Sequence, residues 1–156
     1  METRYINTFE QLHAEVWNAK KGIYRGVASA EYLLIPKVGR SKDGHMRYTR
    51  ERERRILTAF KNYAIPFVEF EPKTDWDWLA LGQHHGLPTR LLDWTRSPLI
   101  AAWFAVSAIF DGDSAIYRYT RRDEIDPTKG NPFTISAVTR FVPSHVTRRL
   151  AAQQLM

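Results

Sequence analysis

No cysteine occurs among the 156 residues, which removes disulfides, thiolate metal ligands and a cysteine nucleophile together and suits a reducing compartment. Long apolar runs are missing as well. None approaches the length of a membrane span, so no membrane partner is expected. The opening residues, Met-Glu-Thr-Arg-Tyr-Ile-Asn, lack the apolar centre of a secretory signal. These absences lead to the expectation of a cytoplasmic protein. Repeats, low-complexity tracts and long linkers are absent too, and a hydrophobic content of 44% is enough for one self-sufficient core. Residues 1–156 are therefore expected to form a single domain.

What the chain has in excess is positive charge. Its 23 Lys and Arg outnumber 17 Asp and Glu, giving 23 − 17 = +6, and the isoelectric point near 9.7 raises nucleic acid as a partner. One cluster comprises Arg47, Arg50, Arg52, Arg54, Arg55 and Lys61, interrupted by Glu51 and Glu53. A second gathers toward the C-terminus at Arg118, Arg121, Arg122, Arg140, Arg148 and Arg149. The first reads more readily as the solvated face of a helix than as a phosphate-binding patch.

The spacing of apolar residues predicts alternating helical and extended segments. Thr8 and Gln11 form a candidate capping box before Phe9, Leu12, Val16 and Trp17, which predicts a helix over about 9–20 stopped by Gly22. Ile23 to Gly26 reads as a short strand. Glu31 to Val38 is apolar but broken by Pro36, and Lys42 to Tyr48 reads as a polar loop. From Tyr48 to Ala64 a stripe of Ile56, Leu57, Phe60 and Tyr63 predicts a helix that Pro66 ends. Thr74 or Asp75 caps the next helix, which Gly86 and Pro88 stop. Thr89 to Trp94 reads as a strand, and Ser97-Pro98 opens a helix over Leu99 to Phe110 that is apolar nearly all round, hence expected to be buried against a sheet. Ser114 to Thr120 reads as a strand and Ile125 to Pro132 as a turn-rich loop. Phe133 to Val142 adds one or two strands, and a last helix starts near Ser144. The fold class is α+β, with mixed or antiparallel sheets and helices packed around them.

The densest concentration of chemistry lies between Leu81 and Val106, where two histidines, two arginines, an aspartate and two tryptophans sit among apolar runs. Polar groups so placed are costly to bury unpaired, so a polar binding site where a strand meets a helix is the natural reading.

These residues also carry a resemblance. Tyr24-Arg25-Gly26, then Ile35-Pro36-Lys37-Val38-Gly39-Arg40, then the long run from Gln83 to Thr95 resemble the hallmarks of the FRG domain family, named for its aromatic-Arg-Gly motif and found in bacterial and phage proteins. The resemblance spans nearly the whole chain. That family usually ends on a Gln-Gln-Gly-Phe-like strand, whereas Gln153-Gln154 here precede Leu155-Met156, which leads to the expectation of a shortened domain. A second similarity is to arginine-type ADP-ribosyltransferases. Tyr24-Arg25-Gly26 is similar to their first motif, and Thr95-Arg96-Ser97 with the Ala-Ala-Trp-Phe-Ala helix to their second. The implied ligand is NAD, and the implied acceptor is a protein or a nucleic acid. The late-strand glutamate of those enzymes has no counterpart, since the last acids are Glu124 and Asp126.

An NAD site needs a guanidinium for phosphate oxygens, hydroxyls for ribose and an aromatic face for the ring. Arg25 beside Gly26 supplies the first, with glycine letting backbone approach the ligand. Thr95 and Ser97 supply the second, next to the positive end of a helix. Tyr24 or Trp94 supplies the third. Arg25, His85 and Asp93 are the candidate catalytic groups, and Tyr24, Arg25, Gly26, Arg90, Trp94, Thr95 and Ser97 the candidate cofactor-binding set. Each also has a structural reading: Arg25 as a strut satisfying carbonyls or Asp93, His84 and His85 as a pair at a helix C-terminus, and Asp93 as an orienting group for an arginine or a histidine. A metal held by His84, His85 and Asp93 is disfavoured, because adjacent helical residues point about 100° apart. The reading that follows is a transferase acting on NAD, with a noncatalytic nucleotide- or nucleic-acid-binding module in phage–host conflict as the alternative.

Overall fold

A computed structural model describes residues 2–17, 22–42, 45–46, 48–69, 71–121, 124–135 and 139–143. The helix expected from Ser144 lies outside them, as do residues 18–20 of the first expected helix. The contacts divide the chain into two compact units, one from residues up to Tyr32 with Asp93–Arg121, the other from Leu33–Leu92 with the described residues after 121. Among the described residues, four α-helices and short antiparallel strands make this an α+β protein.

The first unit begins with helix α1, Phe9–Trp17. Thr8 Oγ1 accepts from the Gln11 amide at 3.3 Å, while Gln11 returns its side chain to the Asn7 amide at 2.7 Å, one residue earlier than a capping box requires. Strand β1, Ile23–Val27, pairs antiparallel with β4, Ala115–Tyr119, in a register that sets Arg25 opposite Tyr117 and Gly26 opposite Ile116. Helix α4, Pro98–Val106, packs on β1 through Ala101 and Ala105, both buried. It is shorter than the expected Leu99 to Phe110, ending where Ser107 donates its amide to the Trp103 carbonyl at 2.8 Å. The expected all-round burial is also corrected: Leu99, Trp103, Phe104 and Val106 are exposed.

The second unit is built on helices α2, Arg50–Ala64, and α3, Asp75–His84. Both start on threonines. Thr49 Oγ1 accepts from the Arg52 amide at 3.2 Å, and Thr74 forms a reciprocal capping box with Asp77. Leu57, Trp78, Leu79 and Phe133 form the core, with Phe60, Leu81, Leu87 and Leu91 packed against it. Helix α3 stops because Gly86 takes φ +86, which lets the Leu87 amide reach the Gly82 carbonyl and the Gly86 amide reach Gln83, both at 2.9 Å.

Two expectations fail in particular places, and a third, Phe133 to Val142, lies partly outside the described residues. The polar loop Lys42 to Tyr48 contains part of an antiparallel pair, β2 Ser41–Lys42 with β3 His45–Met46. The run Thr89 to Trp94 forms no ladder, because the Thr89 hydroxyl takes the Leu91 amide at 3.2 Å and the Thr89 carbonyl is used by Val38. Only the next residue, Thr95, makes a β-bridge, to Tyr24. In Phe133 to Val142 the described residues hold a turn at Phe133 and one isolated bridge, Arg140 to Glu124.

Candidate functional site

Seven of the residues singled out from the sequence belong to the first unit: Tyr24, Arg25, Gly26, Asp93, Trp94, Thr95 and Ser97. The amide and carbonyl of Tyr24 exchange bonds with those of Thr95 at 2.7 and 2.8 Å, so Thr95 serves as a one-residue third strand on the edge of β1 away from β4. That bridge brings the Asp-Trp-Thr segment alongside Arg25, whose Nη1 donates to the Asp93 carbonyl oxygen at 2.6 Å. Side chains alternate along β1, so the buried ring of Tyr24 and the half-buried Arg25 point to opposite faces. The indole of Trp94 stands 6.1 Å from the Tyr119 ring.

The hydroxyls of the segment are ordered. Thr95 Oγ1 accepts from the Ser97 amide at 3.1 Å, and Ser97 Oγ caps α4 by accepting from the Ile100 amide at 3.4 Å. Acceptance from an amide leaves each hydroxyl its own hydrogen to donate. Pro98 at the first helical position adds no amide of its own, as expected at the start of a helix.

Gly26 has a different task from the one read in the sequence. A Cβ there would stand 1.8 Å from the Ala101 carbonyl oxygen and 2.7 Å from the Ala105 nitrogen. The approach that glycine permits is taken up by α4, so the residue sets the strand–helix spacing of the site rather than a path for ligand.

The other two candidates, His85 and Arg90, belong to the second unit. Arg90 is a strut. Its Nε donates to Glu53 Oε1 at 3.0 Å, its Nη2 meets Glu53 Oε2, its Nη1 donates to the Pro132 carbonyl, and its plane lies 4.8 Å from the Phe133 ring. A guanidinium whose fork is filled by a carboxylate has little left to offer a phosphate. Glu53, only 3% exposed, is the residue that sequence reasoning missed. Read as a break in a basic cluster, it lies four residues before Leu57 on the buried stripe of α2, and that spacing was the available signal. His85 follows the last residue of α3; its exposed ring packs edge-on against His84 at 5.3 Å.

The polar run beginning at Gln83 is likewise occupied with the fold. Gln83 accepts from the buried Thr89 hydroxyl, Lys37 Nζ donates to the Gly86 carbonyl at 2.8 Å, and the Val38 amide donates to the Thr89 carbonyl at 3.3 Å. The two polar motifs, around Pro36 and around His85, thus hold each other. Among the described residues, no group of three histidines and carboxylates is arranged to hold a metal.

The arrangement in the first unit offers the guanidiniums of Arg25 and Arg96, two hydroxyl donors, a helix start and an indole within one short chain segment and its paired strand. That set can bind a phosphorylated ligand carrying a sugar and a ring. Compared with known proteins, residues 20–114 match the family described as FRG domain. No curated protein and no solved structure matches the chain.

Proposed function

The chain belongs to the FRG domain family, and from that premise we propose that it binds NAD in the first unit and acts in the manner of an ADP-ribosyltransferase. Arg25 engages the pyrophosphate, and its Nη1 bond to the Asp93 carbonyl orients it. Thr95 and Ser97 donate to ribose or phosphate oxygens beside the start of α4, and Trp94 offers its face to a ring. The single observation that carries this reading is the bond that sets Arg25 against the Asp-Trp-Thr segment at 2.6 Å. In the transfer step the glycosidic C–N bond breaks, nicotinamide leaves with the bonding pair, and a protein or nucleic acid nucleophile attacks the ribosyl carbon and gives up its proton. Asp93 is the carboxylate of this segment, and in this reading it stabilises the cationic ribosyl centre or takes that proton. Tyr24 and Gly26 shape the site, Arg90 supports the second unit, and His85 has no step assigned.

A noncatalytic nucleotide- or nucleic-acid-binding role has one observation in its favour. Strand β4, the partner of β1, reads Ala-Ile-Tyr-Arg-Tyr and supplies no acid beside the ligand groups. Titration with NAD followed by tryptophan fluorescence, alongside mass spectrometry of an acceptor, separates the two. Saturable NAD binding with added ADP-ribose mass supports transfer, and binding without added mass supports the module. The Arg25→Ala variant is expected to weaken NAD binding at least tenfold while melting within a few degrees of the parent. A chain that ignores NAD but binds short RNA or DNA overturns the NAD reading.

A further inference from the structure

We propose that the uncovered face of α4 docks a second copy of this chain in an antiparallel, two-fold pairing. The helix carries no charged residue, Pro-Leu-Ile-Ala-Ala-Trp-Phe-Ala-Val, and only its Ala101 and Ala105 side is buried. Leu99, Trp103 and Val106, spaced i, i+4 and i+7, form the opposite stripe, with Trp103 62% and Val106 71% exposed. The Phe104 ring stands 4.9 Å from Trp103, and beyond the helix Phe110 packs 6.3 Å from the exposed Tyr32. Isolated apolar residues on a surface are ordinary, whereas a helix apolar on every side is built to be covered on every side.

The charges at the ends of the patch select the occupant. Arg96 is exposed just before α4, and Asp111 and Asp113 are exposed just after it. Among the described residues none of the three joins an ion pair. Trp103 and Phe104 are the aromatic pair at the centre of the patch. A two-fold axis there lays α4 antiparallel on its copy and sets Arg96 of each chain against Asp111 and Asp113 of the other, the reciprocal pattern that an isologous interface requires. An anionic lipid surface or a nucleic acid would be repelled by the acidic end. A face of so few residues falls short of the roughly 20–30 residues a side of a standard interface, which points to a transient dimer.

Sedimentation of the full chain tests this. The mass is expected to rise from 18.2 kDa toward twice that value between about 1 and 100 μM, the range of a transient interface. Val106→Arg is expected to weaken association at least tenfold with unchanged far-ultraviolet circular dichroism. Arg96→Asp alone, or Asp111→Arg with Asp113→Arg alone, should weaken it as well. Mixing those two charge-reversed proteins one to one should restore a dimer, since the mixed pair regains both attractions. If Val106→Arg perturbs the fold, the charge-reversal series decides alone. A parent chain that stays monomeric throughout, or reversals that the mixture does not rescue, overturns the proposal.

Discussion

Arg25 and Gly26 are neighbours in one strand yet answer to different surroundings. Arg25 reaches sideways to the Asp93 carbonyl, whereas Gly26 faces the backbone of α4 across a gap no side chain fits. A Gly26→Ala change therefore forces β1 and α4 apart, because the clash is with backbone rather than with the end of a flexible side chain. The expected cost is about 3 kcal/mol or more, read as a lowered midpoint in urea unfolding; an unchanged midpoint would contradict the close packing. Glu53 makes a second residue-scale case. Its buried carboxylate accepts from two nitrogens of Arg90, so Glu53→Gln leaves a partly buried guanidinium without its counter-charge, at an expected cost of about 3 kcal/mol in the same measurement.

At the scale of elements, the turn at Asp126 offers a pH signature. The Thr128 hydroxyl donates to Asp126 Oδ1 at 2.6 Å, the Thr128 amide donates to the same oxygen at 3.0 Å, and Lys129 Nζ lies 3.1 Å from the other oxygen. These bonds favour the ionised carboxylate and lower its pKa from 3.8 to about 2. A pKa lower in the folded chain than in the unfolded one means that the turn's contribution is complete above pH 3.8 and is lost as pH falls through about 2. Carboxyl resonances followed through acid titration should place the Asp126 midpoint near 2. Thr128→Val should move that midpoint up toward the ordinary aspartate value. Helices and turns of this kind were legible in advance where the signal was local, because Thr74, Ser97 and Gly86 act within a few residues of themselves, although the Thr49 cap was not singled out. Strands were less so: Thr89 to Trp94 has the composition of one but lacks a partner, since the Thr89 side chain competes for the Leu91 amide.

For the whole molecule, the net charge of +6 makes salt the informative variable. Any RNA or DNA bound to this chain is held largely through phosphates, so its affinity should fall about tenfold or more between 50 and 200 mM NaCl, through counterion release. NAD, held as proposed through Arg25 and the Thr95 and Ser97 hydroxyls, should lose far less over the same range. Equal salt sensitivity for both ligands would argue that NAD also binds by diffuse charge rather than at Arg25. The sequence alone determined what depends on residue type and short spacing: the α+β class, the helix starts at Thr8, Thr74 and Ser97, the strands around Arg25 and Tyr117, and the family motifs. Only the tertiary structure decided what those motifs hold. Arg90 and Arg25 look equally suited to a phosphate when written in a line, but the first is filled by Glu53 from 37 residues away, whereas the second reaches the Asp93 carbonyl. Which guanidinium a distant acid neutralises, and which face of an all-apolar helix finds a strand, are long-range pairings set by how the chain closes on itself, and local composition does not encode them.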